Sequence, residues 1–165
     1  MYKVVRVKDE KRLSAIETPM QVEYREGEWT EAAIGKLFIM RDPDDACNFL
    51  AKFLWLEPGS HYEVWEVEAK GVDKLETACP HVTNAREIKA FWEGRETRKV
   101  PTPPGTLGAK KVKLVRRVLS VKCEAPVGRV EPVITVTGDY KFTMLFFEMF
   151  GGEDEMVGED KHNRS

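Results

Sequence analysis

The stretch "GKLFIMRDPDDACNFL" (residues 35–50) constrains the fold more than any other part of the chain. Lys36 to Met40 is a five-residue apolar run bounded by Gly35 and Arg41-Asp42-Pro43, the pattern of a short buried strand. Pro43 cannot extend a strand ladder but suits the first position of a helix, and Asp42 stands where an N-cap is needed. Asp44 and Asp45 complement the positive end of the helix dipole. Ala46, Phe49, Leu50, Phe53 and Leu54 then form one apolar stripe at helical spacing, closed by Pro58-Gly59. A strand must therefore turn directly into a packed helix here. The same requirement explains the three aspartates as capping groups without a metal.

The rest of the chain predicts mainly strands. "YKVVRV" (2–7), "LSAI", "MQVEY" and "HYEVWEVEAKG" (61–71) are rich in β-branched and aromatic residues, with Pro19 and Gly27 marking turns. In the last of these, Glu63, Trp65, Val67 and Ala69 share one face, while Tyr62, Val64, Glu66 and Glu68 share the other. Asn84 with Glu87 resembles a capping box opening a second helix that Gly94 ends. Residues 95–109 are Pro- and Gly-rich and predict a long loop. Strands are expected over 110–122 and 130–136. The aromatic run 139–150 fits either a buried strand or a helix, since Phe142, Leu145, Phe146 and Met149 have helical spacing and Gly151 follows. The expected fold class is α+β: a mostly antiparallel twisted sheet of about six to eight short strands with two or three helices. A single domain over 1–152 and a disordered polar tail over 153–165 complete it.

Composition excludes more than it assigns. With 165 residues, 42% hydrophobic and 10% aromatic, the chain can bury a core of its own. A net charge of -2 gives no global bias toward nucleic acid or membrane. No apolar run reaches the length of a membrane span and the N-terminal residues lack a signal-peptide pattern, so a soluble cytoplasmic protein is expected. Cys47, Cys79 and Cys123 are too far apart for a zinc pair or a disulfide framework. No metal site is expected. One Gln and three Asn against 33% charged residues is a pattern shared with heat-adapted proteins.

No GxSxG, HExxH, P-loop or GxGxxG sequence occurs, and no motif implies a cofactor. Glu66 and Glu68, at i and i+2 on one strand face, are candidates for acid/base work or for orienting a ribose hydroxyl; a solvated strand face explains them equally well. Trp29, Trp55, Trp65 and Trp92 read as core or interface anchors. Charge is distributed unevenly. Nine bases and one acid lie between Arg95 and Lys122, six acids and no base between Glu148 and Asp160. The two segments could pair. Alternatively Lys110, Lys111, Lys113, Arg116 and Arg117 form a nucleic-acid contact strand, although it lacks the interleaved aromatics of a base-stacking surface.

Taken in order, the strand with Tyr2 and Arg6, the strand "GKLF", the helix "DPDDACNF" and the strand "YEVWEVEAKG" resemble the core of ADP-ribosyltransferase-like domains over residues 2–71. The resemblance implies an NAD cleft between the first strand and "GKLF", and makes Arg6 a candidate catalytic residue. Leu37 stands where that family carries a tyrosine that stacks on nicotinamide. Glu131 and Glu148 are candidates for its glutamate by chain position alone. The chain also resembles small uncharacterised proteins of phages and prokaryotic viruses. The leading expectation is a non-enzymatic protein that binds a small ligand or a protein partner, as an accessory of a phage or mobile element would. A divergent NAD-using transferase and a nucleic-acid binder are the alternatives.

Overall fold

A computed structural model describes residues 1–80, 82–95 and 98–151. The expected tail over 153–165, with most of the acidic segment, lies outside the described residues, as does His81.

β1 (Tyr2–Lys8) and β6 (His61–Lys70) are the long apolar strands that the sequence announces, and they pair antiparallel from Tyr2↔Glu66 to Arg6↔Tyr62. β11 (Lys111–Glu124) lies on the other edge of β6 and β12 (Val133–Gly138) beyond it. β5 (Leu37–Met40) joins β1 through a single position, Tyr2↔Met40, while the far half of the same β1 edge pairs with β2 (Lys11–Ser14). β3 (Glu23–Tyr24) adds to β2, β4 (Trp29–Glu31) to β11, and β7 (Asp73–Lys74) to β10 (Thr106–Ala109). β8 (Thr77–Ala78) and β9 (Val100–Pro101) form a separate two-stranded ribbon.

β10 pairs with β5, and after Lys110 alone the chain continues as β11 and pairs with β6. One nearly continuous segment thus bridges the two sides of the sheet, curling it around a core. That core holds Val5, Tyr24, Leu37, Ile39, Trp65, Val67, Ala109, Val112 and Leu114. The opposite face carries a second core of Val4, Val64, Leu119 and Val121, covered by helices. Both faces of β6 are buried, as its alternating apolar sets require: Tyr62 and Val64 serve one core, Trp65 and Val67 the other.

The helices are α1 (Pro43–Asn48), α2 (Ala85–Trp92) and α3 (Tyr140–Phe150). α2 starts as expected, with the Asn84 carboxamide accepting from the Arg86 and Glu87 amides at 3.0 and 3.3 Å. In α3, Phe142 and Phe146 are buried, and Gly151 ends the helix in the left-handed conformation at φ 69°. Helical spacing thus decides the ambiguous aromatic run.

Several expectations need correction. Among the described residues the main sheet has ten strands, more than the six to eight expected, because the added ones are two to four residues long and carry no measurable periodicity. The 95–109 loop contains β9 and β10; the small residues of "TLGA" fit a crowded sheet position without looking apolar. The last strand begins at Val133, not Val130. "LSAI" and "MQVEY" shrink to β2, which ends at Ser14, and to the two residues of β3. Asp42 occupies the N-cap in extended backbone, yet its side chain makes no capping bond and instead accepts from Arg41 Nε at 3.1 Å. After Asn48 the helix widens into a π turn over Phe49–Phe53. The wider turn rotates the stripe, so Phe49 and Leu50 are buried while Phe53 is exposed.

Candidate functional site

β5 and β2 share one edge of β1 without meeting, and the gap between them is a pocket of about 160 Å³. Its lining is mainly apolar: Ile16 and Met20 from the β2–β3 connection, Ile34 and Phe38 around β5, and Ile88, Phe91 and Trp92 from α2. α2 acts as the lid wall. Trp92 meets Phe38 edge-on at 6.3 Å and Phe91 at 5.2 Å. Gly35 makes that position possible, because a Cβ there would lie 2.1 Å from the indole ring.

Two polar residues reach this apolar space from the floor. Lys3 is 6% exposed and Tyr24 2% exposed. Lys3 follows the alternation of β1 to the same face as Val5, and its ammonium donates to the Phe38 carbonyl at 2.5 Å. It also lies 5.1 Å from the centroid of the Tyr24 ring. Among the described residues no carboxylate pairs with it. Burial alone lowers its pKa from the usual 10.5 to about 7. The Tyr24 hydroxyl is buried without a hydrogen-bond partner. Burial pushes its pKa up, with the Ser14 hydroxyl offsetting part of the rise. Ser14 Oγ in turn accepts from the Val22 amide at 3.2 Å, so it serves the backbone more than the tyrosine. Lys36, a further lining residue, pairs with Asp73.

The residues singled out from sequence lie elsewhere. Glu66 accepts from Arg116 at 3.2 Å and Glu68 pairs with Lys113 at 3.0 Å. Arg116 also meets Asp139 at 2.6 Å, Lys111 meets Glu31 at 3.0 Å, and Arg117 meets Glu63 at 3.0 Å. Bulges at Val115 and Val118 set Arg116 opposite Glu66 and Arg117 opposite Trp65. Four of the five candidate nucleic-acid residues are thus engaged by carboxylates of the fold. The fifth, Lys110, is exposed and packs its stem over Gly71.

Arg6 binds Gln21 at 3.0 Å and faces Glu17 at 3.8 Å beside a second, more polar depression that includes the exposed Trp55. Its Nε is buried without a hydrogen-bond partner. It sits four strand residues from Tyr2, the register partner of Glu66, or ~13 Å along β1. Arg6, Glu66 and Glu68 therefore do not converge. Glu131 and Glu148 are exposed, and neither lines the apolar pocket.

Sequence reasoning missed three buried polar groups. Lys3 and Tyr24 sat inside strands read only for their apolar pattern, and a lysine between Tyr2 and Val4 carried no signal of burial. Glu63, 2% exposed, was assigned the correct face but not its role. It accepts from Arg12 at 2.7 Å, Arg117 at 3.0 Å and Trp65 Nε1 at 3.3 Å. Burial pushes its carboxyl up, but the hydrogen bonds of Arg117 and Arg12 outweigh that and hold it below its ordinary value. This carboxylate is saturated and serves the framework.

Among the described residues, no group of three or more His, Cys, Asp or Glu side chains is arranged to hold a metal ion, and no helix is long and apolar enough to cross a membrane. No family model, no curated protein and no solved structure matches the chain.

Proposed function

We propose that the protein binds a small molecule with an apolar body in the pocket between β2 and β5, without performing chemistry on it. The observation that carries this reading is the pocket itself, apolar-walled and built where two strands share one edge of a third. Apolar pockets with a few convergent polar groups are the usual form of a ligand site. A cavity of about 160 Å³ compares with the ~150 Å³ apolar cavity that accepts a benzene ring.

The NAD-using alternative rests on the resemblance, which implies a cleft between the first strand and "GKLF", two strands that pair at Tyr2↔Met40. Among the described residues the pocket's lining contains no carboxylate, which favours binding over group transfer. NAD consumption by the purified protein would revive that alternative. The nucleic-acid alternative loses support from the carboxylates that hold Lys111, Lys113, Arg116 and Arg117.

Thermal unfolding with and without 1-octanol tests the binding reading. Octanol near its solubility limit raises the midpoint, because a ligand of the native state alone stabilises that state by mass action. Ala78→Phe, which fills the pocket from β8, removes most of that rise. An octanol effect of equal size in Ala78→Phe, or none in the wild type, contradicts the reading.

A further inference from the structure

The pocket's unspent hydrogen-bonding capacity is mainly that of donors. An ammonium carries three donors, and Lys3 has one of them directed to Phe38 O. The buried Tyr24 hydroxyl has only the Ser14 hydroxyl near it and makes no well-formed hydrogen bond among the described residues. Two hydroxyls that line the same space accept from backbone: Ser14 at the end of β2 from the Val22 amide, and Thr18 in the β2–β3 connection from the Met20 amide, each at 3.2 Å. What the floor lacks is a strong acceptor, and what the buried lysine lacks is an opposite charge. An isolated charge in an apolar site is costly unless it is paired, and an unmade buried hydrogen bond adds to that cost.

Building on the ligand-pocket reading, we propose that the ligand is a monocarboxylic acid whose carboxylate takes hydrogen bonds from Lys3 Nζ and Tyr24 Oη while its apolar body lies against Phe38, Phe91 and Trp92. A carboxylate has two oxygens with several lone pairs, so one head group serves both donors. Among the described residues the other charged side chain of the lining, Lys36, is already committed to Asp73. Lys3 is thus the cation with which an incoming anion pairs. The volume suits a body the size of one ring or of a medium-length chain. Two sources of that chemistry, alkyl and aryl acids, fit the same floor and differ only in how they meet the aromatic wall.

The test is calorimetric titration of the full chain at pH 6.5 with octanoate and phenylacetate, each against its neutral counterpart, 1-octanol and benzyl alcohol. An acid is expected to bind at least ~10-fold tighter than its alcohol, the scale of one charge-assisted hydrogen bond. The better of the two acids identifies the alkyl or aryl class. Lys3→Met erases the preference for the acid while keeping affinity for the alcohol, and Tyr24→Phe reduces the preference several-fold. In the wild type, acid affinity is flat up to about pH 7 and then falls by up to ~10-fold per pH unit as free Lys3 loses its proton.

Tyr24 stays protonated throughout that range because its pKa is raised. The wild-type pH series carries the test if either variant fails to fold. Alcohols that bind as tightly as the acids, or a Lys3→Met protein that still prefers the acid, overturn the proposal and leave the ligand-pocket reading intact. Absence of binding by all four compounds overturns both.

Discussion

Lys3 is the residue on which the account of the pocket turns. A lysine that is 6% exposed and has no carboxylate partner among the described residues carries a desolvation cost, which lowers its pKa from 10.5 to about 7. Between those values the folded protein has released a proton that the unfolded chain still holds, so stability rises with pH across that window. Below about pH 7 the ammonium is charged in both states and the full cost is present. Lys3→Met therefore raises the unfolding free energy at pH 6 by ~1–4 kcal/mol, each pKa unit being worth ~1.4 kcal/mol, and abolishes the rise between pH 7 and 10. Denaturant unfolding of both proteins at a series of pH values checks this. Parallel profiles would show that Lys3 is solvated in the native state. Glu63 illustrates the opposite arrangement, a buried charge whose two arginines and one indole leave it nothing further to bind.

At the scale of elements, the meeting of α2 with the strand-to-helix unit of residues 35–50 builds the pocket wall. Gly35 has φ 71° and a Cβ there would strike Trp92 at 2.1 Å. Gly27 shares the positive φ, at 77°, but has nothing within 4 Å. Gly35→Ala is thus expected to destabilise the protein by ~1–3 kcal/mol more than Gly27→Ala, the excess being the overpacking against Trp92. Urea titration of the two variants measures the difference, and equal losses would mean that α2 moves aside without cost. Much at this scale was legible in the sequence. β1, β5, β6, β11 and the Asn84 cap follow from periodicity and capping chemistry. β7, β8 and β9 do not, because two residues cannot establish a period, and the expected strand "MQVEY" overran β3. The π turn was hidden for a related reason: the apolar stripe from Ala46 to Leu54 is consistent with an ordinary helix until packing selects the wider turn.

At the scale of the molecule, the two sides of the sheet are tied together because β10 and β11 are one nearly continuous segment pairing first with β5 and then with β6. A junction of that kind depends on partners distant in sequence, so local pattern could not reveal it. The same holds for the pocket, which exists only because β2 and β5 divide the edge of β1 between them. The candidates drawn from sequence were charged residues at visible spacings. The fold uses most of them to tie β6 to β11, and it assembles its ligand space from residues that looked like framework.

The most direct test of that space is methyl NMR of the full chain during titration with 1-octanol. Shifts concentrated at Ile16, Met20, Ile34 and Ile88, with Val121 and Val136 of the helix-covered core unmoved, are the predicted result. Shifts spread evenly over both groups, or none up to the solubility limit, would contradict a binding pocket between β2 and β5.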